Sequence, residues 1–223
     1  MAMALRLKEL YPEKDFIYLI TPTKNELPEM VAHWANLEKL LGKPLLDIST
    51  YSLMGLVYKY KALPNFRSRW CTRQIKLEPY AYWMIQHLPC ISYIGIRADE
   101  DLERGLGDWP ELLGVEKRFP MREWGWGIKE VFAYLEKRGV CIPERTDCAF
   151  CFFQRLEEWK TLSEKHPELY EQAIAAEEYT GHTFRSPGKD GHPTSLKDLR
   201  EKFRAGFVPR HKKTPMDEMP SLQ

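Results

Sequence analysis

The sequence predicts an α/β fold: a parallel sheet flanked by helices, with a helical C-terminal part. Three observations carry that expectation. An apolar run at Asp15–Thr21, an amphipathic helical stripe and a second run at Pro44–Ile48 follow one another directly. Strand–helix–strand order needs a crossover, and a crossover makes the two strands parallel. A third apolar run, Cys90–Ile96, stands behind another helical pattern, and from Gln154 onward only helical patterns and loops remain.

Each element has a local reason. Asp15–Thr21 suits a buried strand, and Pro22 stops it. Thr23-Lys24-Asn25-Glu26 fits the capping-box pattern that opens a helix. Leu27, Met30, Val31, Trp34, Leu37 and Leu41 then recur at steps of three and four, and Gly42 takes the C′ position. After Pro44–Ile48 comes a Tyr- and Lys-rich connection and a basic segment, Asn65–Arg73. Gln74–His87 is expected to be a helix facing Leu77, Tyr80, Ala81, Met84 and Leu88 inward. Arg97-Ala98-Asp99-Glu100-Asp101 follows the third strand at its carboxyl end, where ligands of open α/β sheets bind. Gly105–Gly127 reads as a long loop, in which Trp124 and Trp126 pack toward the core, and Ile128–Arg138 as a helix burying Val131, Phe132 and Leu135. Helices are expected at Gln154–Lys165, Pro167–Tyr179 and Ser195–Phe203, with a loop at Gly181–Pro193 whose Gly188–Gly191 run is a turn. The division implied is an α/β domain over residues 1–140, then a cysteine loop and helical segment over 141–223.

Composition narrows the function classes. The 223 residues carry a formal charge of +1, so no global electrostatic pull toward nucleic acid exists, although local basic patches remain open. No run of about 18 apolar residues occurs, so nothing is expected to span a membrane. The opening Met1–Lys8 stretch is too short and too charged for a secretory signal. Five cysteines, an odd number, argue for a reducing cytosol rather than a disulfide framework. A cytoplasmic protein is expected.

Those cysteines are the chemical signal. Cys141, Cys148 and Cys151 lie close together in sequence, with Cys71 far upstream. Four soft thiolates gathered by folding suit an iron–sulfur cluster or a zinc ion; the competing reading is a structural zinc or unligated thiols. Cys90 opens an apolar strand and reads as a small buried hydrophobe. Lys76, five residues after Cys71, is either a cation near the metal and an anionic substrate or a solvated helix residue. Arg97 either grips phosphate bidentately or pairs with Asp99 or Glu100. Arg67, Arg69 and Arg73, interleaved with Phe66 and Trp70, suit phosphate and base contacts or a solvated loop. The scattered His166, His182, His192 and His211 receive no role.

Four segments in order resemble the phosphoadenosine phosphosulfate (PAPS) reductase family, a branch of the adenine-nucleotide α-hydrolase-like proteins. They are Cys71-x4-Lys76-x-Glu78-Pro79, Gly95-Ile96-Arg97-Ala98-Asp99-Glu100, Phe119-Pro120-Met121-x2-Trp124 and Cys148-x2-Cys151, and the likeness extends from Phe16 to Trp159. The resemblance implies a Rossmann-like sheet and a [4Fe–4S] cluster held by Cys71, Cys148 and Cys151, with Cys141 as the fourth ligand. It implies Lys76 and Arg97 as catalytic residues, and Thr23, Arg67, Arg69, Arg73, Lys76, Arg97 and Glu100 around an adenine nucleotide or sulfonucleotide.

The chain departs from the family in three places. The phosphate-cradling Ser-Gly-Gly-x-Asp-Ser loop is absent, which implies an N-terminally incomplete domain, a loop supplied by another polypeptide, or a protein that has lost nucleotide cleavage. The usual Asp-Thr-Gly stands here as Pro22-Thr23-Lys24. No cysteine follows Cys151, so the C-terminal thiol that attacks a sulfonate is missing. The nearer analogy is therefore with cluster-bearing relatives that transfer sulfur, such as those that thiolate tRNA or install phosphorothioates in DNA. Nucleic acid is then an expected partner. A sulfonucleotide reductase, or a non-catalytic metal-stapled binding module, is the alternative.

Overall fold

A computed structural model describes residues 1–102, 112–143, 145–188 and 190–210. The first part of the expected Gly105–Gly127 loop, Glu144 of the cysteine loop, Lys189 of the Gly188–Gly191 turn, and His211 lie outside the described residues.

The first strand–helix–strand unit forms as its sequence dictates. β1 (Tyr18–Ile20) pairs in parallel with β2 (Leu45–Asp47), Tyr18 opposite Leu45 and Ile20 opposite Asp47. A helix, Ala2–Leu10 (α1), precedes them, and the crossover helix is Pro28–Leu41 (α2). Gly42 closes α2 at φ 67°, a left-handed conformation that costs glycine nothing. The capping contact forms one step early. Glu26 accepts from the Thr23 N–H at 2.5 Å and from its hydroxyl at 2.8 Å, yet the helix starts at Pro28. Proline's missing donor and fixed φ favour the first helical position, which moves the boundary past Glu26. Val31, expected on the inward stripe, is exposed.

The connection after β2 contains a helix, Leu53–Tyr60 (α3), capped by Ser52 accepting from the Gly55 N–H. The helix expected at Gln74–His87 is two things: a π-helix at Thr72–Leu77 running into α4 (Glu78–Ile85). Because α4 ends at Ile85, Leu88 leaves the buried face and is exposed. β3 (Cys90–Tyr93) pairs in parallel with β4 (Val115–Arg118), a strand hidden inside the expected long loop, and α5 (Pro120–Glu123) follows. Trp124 and Trp126 meet edge-on, and Trp126 tilts against Tyr134 on α6 (Ile128–Glu136). The C-terminal helices are α7 (Leu156–Lys165), α8 (Pro167–Thr180) and α9 (Leu196–Arg204). The architecture is mixed helix and parallel strand, with two two-stranded sheets among the described residues.

Two hydrophobic clusters form the interior. The larger draws on α3, the π-helix, the Cys148–Cys151 turn and α7–α9, and so takes residues from both sides of residue 141. Trp159, Tyr170 and Phe150 lie fully buried within it. Glu177 is buried at its edge, accepting from the Phe184 N–H at 2.9 Å and the Leu196 N–H at 2.7 Å. The smaller cluster joins α1, α2 and α6 through Ala2, Leu5, Leu37, Leu41, Leu135 and Val140. Among the described residues no helix is long and apolar enough to cross a membrane.

Candidate metal centre

The backbone of the π-helix decides which side chains meet. Its i→i+5 bond is explicit where the Glu78 N–H donates to the Arg73 carbonyl. Residues five apart lie nearer one face in such a turn, roughly 50° apart, whereas on an α-helix they point about 140° apart. Cys71 and Lys76 are five apart, and the Lys76 ammonium accordingly acts on the Cys71 thiol. Ile75, with 0% exposure, and Gln74, accepting from the Tyr60 hydroxyl at 2.7 Å, anchor the turn.

The other two thiols arrive on a tight turn. Cys148 forms an antiparallel bridge with Glu26, and the Ala149 N–H donates to the Asn25 carbonyl at 2.7 Å. The cysteine turn is thereby docked on the Thr23–Glu26 corner at the end of β1. Ala149 and Phe150 sink into the larger cluster between the two cysteines, which leaves both thiols on one side. Sharing a hydrogen bond with Cys151, and burial, push the Cys148 thiol up; Lys76 and Cys71 also act on it. The hydrogen bond from Cys148 holds the Cys151 thiol below its usual range against the opposing effect of burial, helped by the Phe153 N–H and Arg145. Burial raises Cys71.

Cys71, Cys148 and Cys151 thus act on one another, and Lys76 acts on the first two; the fourth expected thiol stands apart. Cys141 is exposed; its neighbours Val140 and Ile142 pack on the smaller cluster, and its backbone hydrogen-bonds the His33 imidazole. Among the described residues no three His, Cys, Asp or Glu side chains are disposed to hold a metal ion. By donor type alone, the three thiols are of the soft kind that sulfur-ligated metals take. Cys90 is half-buried beside Met84, its sulfur 3.6 Å from the thioether.

The expected anion-binding residues divide into two groups. Arg67 and Arg69 are exposed on the approach to the π-helix, where Asn65 accepts the N–H groups of Arg67 and Ser68 at 2.9 Å, and Arg73 is exposed within it, paired with Glu78 at 3.4 Å. Phe66 meets Phe152 and Phe153 edge-on, with centroids 5.2 Å and 4.8 Å away, and the Arg69 guanidinium lies over the Phe153 ring. The basic turn therefore rests against the two residues that follow Cys151. Thr23 is buried beneath the cysteine turn, bonded to Glu26. Arg97 stands elsewhere: its guanidinium pairs with Asp99 at 2.9 Å and Glu100 at 3.3 Å. Asp99 also accepts the Ile128 N–H at 2.9 Å at the start of α6. Arg97 and Asp99 border a cavity of about 1410 Å³, whose walls include neither Lys76 nor Cys71, Cys148 or Cys151.

Sequence reasoning missed Arg145, which acts on Cys151, and the Asn25–Glu26 corner that seats Cys148. Arg145 could have been found from its place inside the cysteine loop; the Asn25–Glu26 contact leaves no local signal. Compared with known proteins, the chain matches no family model, no curated protein and no solved structure.

Proposed function

We propose that this chain is a PAPS reductase-like enzyme of sulfur transfer or nucleic-acid thio-modification, working in the cytoplasm with an adenine (sulfo)nucleotide. What supports the reading is that Cys71 acts on Cys148, and Cys148 on Cys151, with Lys76 acting on Cys71 and Cys148. In this reading the two parallel strand pairs are parts of one Rossmann-like sheet. The three thiols would hold a [4Fe–4S] cluster, which would supply the sulfur chemistry. Lys76 supplies positive charge near Cys71 and Cys148, suited to an anionic substrate. Arg67 and Arg69 hold nucleic-acid phosphates while Phe66 and Phe153 offer ring faces to a base, an arrangement favoured by their exposure. Arg97, engaged by Asp99 and Glu100, positions the loop at the end of β3 and reaches a nucleotide only by exchanging those partners.

The same exposed Arg–Phe surface favours a second reading, a nucleic-acid-binding module in which the metal only staples the π-helix to the cysteine turn. One experiment separates the two and tests both. Protein purified without oxygen is expected to show visible absorbance and bound iron, both lost in Cys151→Ser and both retained in Cys141→Ser. Colourless protein with one zinc per chain supports the staple. Protein that binds neither metal, or that loses iron equally in Cys141→Ser, overturns the three-thiol centre.

A further inference from the structure

The cavity beside Arg97 has an unusual wall. Two unbroken runs line it, seven residues at Lys14–Ile20 through β1 and six at Cys90–Gly95 through β3. The face of a sheet offers alternate side chains, because successive residues point to opposite sides. Consecutive lining on both walls means that the cavity runs along strand edges. The remaining strands agree: β2 contributes Leu45 alone and β4 contributes nothing, so the paired edges face away. Among the described residues β1 is bonded only to β2, and β3 only to β4. Each keeps an edge of backbone N–H and C=O groups with no strand partner among the described residues.

Both edges bound the same space, since the Phe16 ring meets the Tyr93 ring edge-on with centroids 5.8 Å apart. Inside, the cavity is apolar. Leu19 and Ile94 line it, while Ile17 and Ile91 remain 58% and 46% exposed for want of a cover. Charged and polar groups, Lys14, Asp15, His87, Arg97 and Asp99, also border it. Parallel strands are found buried in wide sheets, and an isolated pair is marginal in water. Open edges are templates for one more strand, and the six residues of the shorter wall match a strand of about 20 Å.

We propose that this cavity is a docking slot for an extended apolar β-strand of a partner polypeptide. The incoming strand bonds to β1 on one side and to β3 on the other, and joins the two pairs into one five-stranded sheet in the order β2, β1, partner, β3, β4. Backbone pairing on two edges supplies the affinity, and alternate apolar side chains fill the space on either face. The slot stands on backbone geometry alone and holds whether or not the thiols bind metal.

The test joins a strand of about six alternating valines and isoleucines, flanked by lysines, to Met1 through a flexible glycine–serine linker of about ten residues. Tethering raises the effective concentration to about millimolar, so that a generic strand suffices. The control fusion carries proline at the two central positions, which removes the donors needed for pairing. Hydrogen–deuterium exchange is read at Tyr18–Ile20 and Cys90–Tyr93, with circular dichroism confirming that both fusions fold alike. With the strand, amides in both segments are expected to exchange about tenfold more slowly than with the proline control. Equal exchange in the two fusions, or protection of only one segment, overturns the proposal. So does an unfused protein in which these amides already exchange as slowly as those of β2 and β4. Protection of both segments by ATP alone also overturns it, by assigning the cavity to a nucleotide. Iron analysis of the same samples reports separately on the thiol centre.

Discussion

The two hydrophobic clusters use the same kinds of side chain but end differently. Around Trp159 the helices α3 and α7–α9 close on one another, and the thiol-bearing turn is pinned into that interior by Ala149 and Phe150. Around Leu37 and Leu135 the helices α1, α2 and α6 close only in part, and Leu37 and Leu135 face the 1410 Å³ cavity as well as their own cluster. One half of the molecule is finished by its own sequence; the other leaves two strand edges and a hollow between them. The candidate chemistry sits on the finished half, and the open half offers the surface on which another polypeptide can act.

That contrast sets the order of expected effects. Trp159→Ala removes a fully buried indole from the closed cluster and is expected to cost about 3–5 kcal/mol in chemical denaturation. A loss below about 1 kcal/mol would mean that this interior does not carry the stability assigned to it.

The next effect is one of pH. Burial raises the Glu177 carboxyl from its ordinary 4.5 to about 7, against the N–H groups of Leu196 and Phe184 and the charge of Arg185. Between those values the folded protein binds a proton that the unfolded chain releases. Stability from this group is therefore complete below 4.5 and is lost as pH rises through about 7, by an amount on the order of 2–3 kcal/mol. Denaturation midpoints from pH 5 to 8 should fall accordingly, and Glu177→Gln should flatten the slope. An unchanged slope in the variant would assign the pH dependence to another group.

Leu37→Ala, on the cavity wall, is expected to cost about 2 kcal/mol, the low end for such a change, because the site already adjoins open space. A cost equal to that of Trp159→Ala would erase the distinction between the halves. The smallest expected effect is Ser195→Ala, about 1 kcal/mol by the same measurement. It removes the hydroxyl that accepts the Asp198 N–H at the start of α9.

Much of the fold was legible because the relevant forces are local. The periodic stripe before Gly42 and the apolar runs on either side of it determined β1, α2 and β2, and Pro167 marked the start of α8. β4 was hidden because Glu116, Lys117 and Arg118 are polar, and its membership in a sheet comes from backbone bonds to β3 that no side chain announces. α3 left a signal that was passed over: Ser52 as a cap, followed by Leu53, Leu56 and Val57 on one face. Of the site, the pairing of Cys71 with Cys148-x2-Cys151 came from the family resemblance and not from any local pattern. The separation of Cys141 was not legible, since it depends on Val140 and Ile142 joining one cluster while Ala149 and Phe150 join the other. Arg97 and Lys76 read alike as cations near strand and helix ends, and only packing distributes them to different places.

The π-helix couples chemistry to the interior in a mechanical way. Trp70 and Ile75 are five residues apart, as Cys71 and Lys76 are, and both of the former pack on the larger cluster. Tightening this wide turn to ordinary helical pitch would swing the members of each pair roughly 90° further apart, together. Anything that tugs on the sulfur of Cys71 therefore pulls on a lever whose other arm is wedged in the hydrophobic interior, so occupancy at the thiols and rigidity of the helices behind them should rise and fall as one.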